Sequence, residues 1–192
     1  MIKKFLFAFS ITLLFVSATP FKSKKASPKI VQPIYLEYNI PYLQKNFVGF
    51  KEALAFKESQ GKYTAINTLG YLGKYQFGRT TLERFKIYDV NAFLKNPELQ
   101  EKAFIALCSV NKWILRRDIQ SYVGKTINGI TITESGILAA AHLSGAGNVK
   151  KFLRSNGSIR FSDAYGASIQ MYMKKFSGYD VSNIIGNRKA KV

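Results

Sequence analysis

Phe56–Leu82, FKESQGKYTAINTLGYLGKYQFGRTTL, holds the turning point of the chain: an acid at the end of a helical pattern, followed at once by a glycine-punctuated, aromatic segment. Upstream, Asn46 to Ser59 predicts a helix, because Phe47, Phe50, Leu54 and Glu58 recur at steps of three and four and so share one face. Glu58 therefore points where the apolar residues point, whereas Lys51 and Lys57 take the solvent side. Gly61 is a stop signal, and the period then changes. Tyr63, Ala65, Asn67–Gly70, Tyr71, Leu72-Gly73 and Tyr75-Gln76-Phe77 predict two or three very short strands with glycine turns, forming one wall of a cleft. A partly desolvated acid beside Tyr, Asn and Gln suits a sugar, since such side chains stack on sugar faces and hydrogen-bond hydroxyls and amides without charge.

Glu58-Ser59, Ala65, Asn67, Gly70, Gly73, Tyr75-Gln76-Phe77 and Thr80-Thr81-Leu82 together resemble the lysozyme-like lytic transglycosylases. The signature of that family is Glu-Ser, a downstream Ala, a Gly-x-x-Gly pair, a hydrophobic-Gln-hydrophobic triplet and a Thr near the next helix start. Far downstream, Ala139-Ala140-Ala141-His142-Leu143-Ser144-Gly145-Ala146-Gly147-Asn148-Val149 is similar to the family's second landmark, an Ala-Ala-Tyr-Asn-Ala-Gly run. His142 stands in the place of the usual Tyr and Leu143 in that of the usual Asn. The pairing of the two stretches, in order, is more specific than either alone. It implies an α+β, mostly α, lysozyme-like helical domain with a small β-hairpin region beside the active-site cleft. It implies Glu58 as general acid and then base on the β-1,4 bond between N-acetylmuramic acid and N-acetylglucosamine. Ser59, Asn67, Tyr75, Gln76, His142, Ser144 and Gly145 are the implied glycan contacts.

Residues 1–18 place Lys3 and Lys4 before an apolar run from Phe5 to Val16 and end in Val16-Ser17-Ala18, which reads as a cleavable export signal rather than a membrane span. Residues 19–34, rich in lysine and proline, read as a flexible basic linker. Residues 35–186 are the length of one domain with one core, and 187–192 form a basic tail. The formal charge of +18 asks for an anionic partner. An export signal turns that expectation from nucleic acid toward cell-wall glycan and weak contact with an anionic envelope, for a protein that is periplasmic or extracellular and monomeric.

Asn96-Pro97-Glu98 predicts a helix to about Asp118 with Leu99, Ala103, Ala106, Leu107, Val110 and Ile114 inside. Thr80 or Thr81 is expected to cap a short helix before it. Asn128-Gly129 predicts a tight hairpin over 126–132, Thr133 caps a helix through Leu143, and Ser144–Gly147 breaks it. Ser162-Asp163 is expected to start the last helix. The alanines at 139–141 predict close approach to a neighbour, taken as the Glu58 helix. Cys108 reads as a buried small hydrophobe, and Trp113 as core or cleft. No His/Cys/Asp cluster has metal spacing and no phosphate loop is present, so neither metal nor cofactor is implied.

Glycoside hydrolysis ordinarily uses two carboxylates, and the sequence offers one obvious acid. The resemblance implies how one suffices: the muramyl N-acetyl group assists at C1, and the 6-hydroxyl closes to a 1,6-anhydro product. A hydrolytic lysozyme on the same fold, a non-catalytic peptidoglycan-binding module and a basic exported protein acting on anionic surfaces are the alternatives.

Overall fold

Asn46, Asn96, Thr133 and Ser168 each accept a hydrogen bond from a backbone N–H three residues on, and these caps set most helix starts. In the computed structural model, which describes residues 44–192, the helices are α1 (Phe47–Ser59), α2 (Arg79–Arg84), α3 (Val90–Leu94), α4 (Pro97–Tyr122), α5 (Glu134–Arg154) and α6 (Ile169–Lys175). Between α4 and α5, β1 (Thr126–Ile127) and β2 (Ile130–Thr131) form an antiparallel hairpin pairing Thr126 with Thr131 and Ile127 with Ile130. Asn128 and Gly129, both at positive φ, make its turn. The class is α+β and mostly α. The predicted export signal and linker, and residues 35–43 of the predicted domain, lie outside the described residues. Among the described residues no helix is long and apolar enough to cross a membrane.

Helix α5 is the centre of the packing. Ser135 through Ala141 are all buried, and α4 and α6 lie against the helix. The close approach occurs at Gly136, where a Cβ would stand 2.7 Å from the Met173 carbonyl oxygen, so any side chain there would force α5 and α6 apart. The small residues of α5 thus serve α4 and α6 rather than α1. Helix α1 joins the core through Phe50, fully buried, whose ring lies 6.3 Å from Phe104 and 6.4 Å from Phe176. Burying one such ring contributes about 1.5–3 kcal/mol.

Other expectations change. The strands over 63–77 reduce to single bridges, Ile66 with Leu72 and Leu72 with Phe77, because side chains rather than a ladder hold that segment. Gly78 is the N-cap of α2, so Thr80 and Thr81 lie in its first turn with their hydroxyls unused as caps. Residues 162–168 are a loop: Asp163 Oδ1 accepts the N–H groups of Tyr165 and Ala167, a side-chain turn that competes with helix, and Ser168 starts α6 instead. On α4 the predicted Ala103, Ala106 and Val110 are buried, but the buried face also takes in Gln100, Phe104, Cys108, Asn111, Leu115 and Asp118, while Leu99, Leu107 and Ile114 are only partly covered. Trp113 is likewise half-buried, its ring lying under the guanidinium groups of Arg116 and Arg188. The predicted tail is attached, with Asn187 donating its N–H to the Ser109 carbonyl and Ala190 packed beside Phe85.

Candidate functional site

Glu58 occupies the last turn of α1, half-buried, and its Oε1 accepts a hydrogen bond of 2.7 Å from the Tyr172 hydroxyl on α6. Oε2 has no partner among the described residues. Burial, and then the adjacent Glu58 carboxylate, push the Tyr172 phenol well above its ordinary range, so it remains a donor at every working pH. The next residue, Ser59, donates its hydroxyl to the Lys74 carbonyl at 2.7 Å and accepts the Lys62 N–H at 3.0 Å. The end of α1 is thereby fastened to the 62–77 segment on one side and to α6 on the other. The tips of the two flanking loops also meet, Thr68 with the Tyr165 hydroxyl, and Tyr71 and Tyr165 present exposed rings on this rim.

Most of the predicted contacts are half-buried and bonded to backbone groups of the protein. Tyr75 is fully buried, stacked 4.1 Å from Phe104 and donating its hydroxyl to Glu101, so it is core and cannot line a subsite. Ser59 pins the wall through its bonds to the Lys74 carbonyl and the Lys62 N–H. Asn67 Oδ1 accepts from the N–H groups of Leu69 and Tyr71 and builds the turn. Gln76, at positive φ, donates to the Gly73 carbonyl. Ser144 donates to the Ala140 carbonyl one turn back in its own helix. His142 Nε2 lies 2.7 Å from the Tyr75 carbonyl oxygen, which makes Nε2 the protonated nitrogen and leaves the buried Nδ1 without a partner among the described residues. Gly145 alone of these stands exposed with open space around its Cα, at φ 78° and ψ 151°, where it kinks α5.

The two stretches singled out in the sequence nonetheless meet. The His142 ring packs edge-on against Phe77 and Phe104, and one turn further Thr80 and Thr81 share a groove of about 380 Å³ with Ala146 and Gly147. Glu58 is not among the residues lining that groove. Comparison of the chain with family models, with curated proteins and with solved structures finds no match.

The wall behind Glu58 rests on a cluster of charges to which the sequence points only through Lys74, a lone lysine in an otherwise uncharged run from Tyr63 to Gly78. Lys74, only 4% exposed, places its Nζ 2.8 Å from Glu52 and 2.7 Å from Glu101. Glu101 also accepts from Lys51 at 2.7 Å, Tyr63 at 2.8 Å and Tyr75 at 2.9 Å, so both its oxygens are filled. The backbone of Lys74 is fixed as well, its N–H donating to Gln100 and its carbonyl accepting from Ser59. Burial alone would raise the Glu101 carboxyl; the four donors outweigh it and hold the group at about 2. Glu52 is also lowered, burial again being overcome by Lys74 and Lys51. A carboxylate depressed in the folded state adds stability that is complete above the unfolded value of 4.5 and lost as pH falls toward about 2. Allowing for partial exposure, Glu101 contributes about 2 kcal/mol in this way. Acid titration followed by circular dichroism should therefore show unfolding within that window, and Glu101→Gln should flatten the pH dependence there. An unchanged acid limb in the variant would remove Glu101 as its source.

Proposed function

We propose that the protein cleaves peptidoglycan as a lytic transglycosylase, with Glu58 as its general acid and base. The observation that carries this reading is the half-buried Glu58 carboxyl, held at one oxygen by Tyr172 and left open at the other. The meeting of the two family-like stretches around His142 and Phe77 supports it. Glu58 donates its proton to the glycosidic oxygen as the C1–O bond breaks, and the N-acetyl oxygen of the muramyl sugar closes on C1. The ionised Glu58 then takes the proton of the 6-hydroxyl, whose oxygen displaces the N-acetyl oxygen and forms the 1,6-anhydro ring. No water is consumed, and Glu58 ends protonated as it began. Tyr172 fixes the carboxyl plane so that the free oxygen faces the leaving group. The partner is a glycan strand, met by a monomer exported to the envelope.

Mass spectrometry of fragments released from purified peptidoglycan tests the reading. Anhydro-muramyl ends are expected, and the absence of fragments from every preparation would sink it. Ends heavier by one water would select hydrolysis, which calls for a second carboxylate. Tyr172→Phe removes only the positioning bond. It should lower kcat about tenfold and cost about 1 kcal/mol of stability, read by thermal melting. Full activity in that variant would deny Tyr172 its positioning role.

A further inference from the structure

The groove beside the α5 kink gathers four polar side chains with no partner among the described residues: Thr80 and Thr81 from the first turn of α2, Arg84 from its last, and Asn111 from the middle of α4. Asn111 is the telling one. It is 6% exposed, it lies on the buried face of α4, and its amide makes no hydrogen bond within the described residues. Its amide atoms are not sealed from solvent; they open into the groove, where their hydrogen-bonding capacity is free for water or a ligand. Leu107 and Val110 give the same groove an apolar floor, and Arg84 sets on its rim a cation with no ion pair among the described residues.

We infer that this groove binds an N-acylated sugar that carries a carboxylate, Asn111 pairing with the acyl amide and Arg84 with the acid. The donor set matches that chemistry group for group. An amide side chain offers one donor and one acceptor, which an acetamido group returns. Two hydroxyls suit sugar hydroxyls, the apolar floor suits a sugar face, and a guanidinium favours a carboxylate. The choice of a wall sugar rests on the function proposed above; the groove itself does not. The site gives the protein a means of preferring muramyl residues, which bear an acid, over glucosaminyl residues, which do not, at a place apart from Glu58.

Gly147 supplies the test. It lies in the helix following the kink at an ordinary φ, and a Cβ there would meet nothing within 4 Å, so Gly147→Leu fills the groove without disturbing the backbone. Calorimetric titration of the full chain carrying Glu58→Gln avoids cleavage during the measurement. The probes are a tetrasaccharide of alternating N-acetylglucosamine and N-acetylmuramic acid with free lactyl carboxylates, and chitotetraose, which has the acetamides and no acid. The tetrasaccharide should bind more tightly. Arg84→Gln should weaken it about tenfold, to the level of chitotetraose, and leave chitotetraose unchanged. Gly147→Leu should weaken both at least tenfold with the melting temperature kept. Undiminished binding in Gly147→Leu, equal loss of both sugars in Arg84→Gln, or no binding of either sugar would each overturn the inference. Because binding is read without turnover, failure here and failure to find Glu58-dependent products are separate results.

Discussion

Glu58→Gln should lower the rate of peptidoglycan cleavage by roughly a thousandfold while leaving the melting temperature within a few degrees. The magnitude follows from the role. A general acid and base contributes on the order of 10² to 10⁴ in rate, and here one group would perform both transfers. The small effect on stability follows from the surroundings. The amide that replaces the carboxyl keeps an oxygen to accept the Tyr172 hydroxyl, and the open side of the carboxyl has no partner among the described residues to lose. Released fragments are counted by mass spectrometry, and binding to insoluble peptidoglycan is measured beside them by sedimentation. Loss of fragments with retained sedimentation supports the catalytic assignment. Equal cleavage in variant and parent would show that another acid performs the chemistry.

Much of this arrangement is legible along the chain, for reasons that differ from residue to residue. Glu58 can be found because helical periodicity is local: three apolar residues at steps of three and four determine where the fourth position points. The caps at Asn46, Asn96 and Thr133 and the Asn-Gly hairpin are local in the same sense. Tyr75, Gln76, Asn67 and Ser59 are read from residue type, and type alone does not say whether a polar group faces a ligand or its own backbone. A segment with so few ladder bonds must satisfy its N–H and C=O groups with side chains, and Ser59, Asn67 and Gln76 do so. Tyr172 stands 114 residues from its partner, and no spacing rule joins them. The broader buried face of α4 has a similar source. Gln100 and Asp118 look like surface residues until the Lys74 N–H and the Arg154 guanidinium are brought to them. One signal does exist for the charge cluster: Lys74 interrupts an otherwise uncharged run from Tyr63 to Gly78, where a lone lysine needs an acid.

Lys74→Met should be the most destabilising single change in the wall, costing about 3–5 kcal/mol, because it removes one charge from a buried network and leaves the others in place. For a domain of this size that is a fall in melting temperature on the order of 10 °C. The apolar part of the side chain is kept, so packing is nearly conserved and the loss isolates the charge. Glu52 and Glu101 each retain Lys51, and Glu101 also keeps two phenols, but two carboxylates then share one ammonium in a half-buried site. A cycle of variants separates this from a mere packing defect. In a Glu52→Gln, Glu101→Gln background the same Lys74→Met change leaves no uncompensated acid, and its cost should drop to about 1 kcal/mol. The single variant should also approach its parent at low pH, since protonating the carboxylates removes the charge that Lys74 balances. A cost that stays constant across both the background and the pH range would assign the effect to shape instead. Ser59 links this network to the chemistry, since its hydroxyl bond to the Lys74 carbonyl joins the wall to the residue after Glu58. Wall loosening in Lys74→Met should therefore lower kcat, even in the fraction that remains folded.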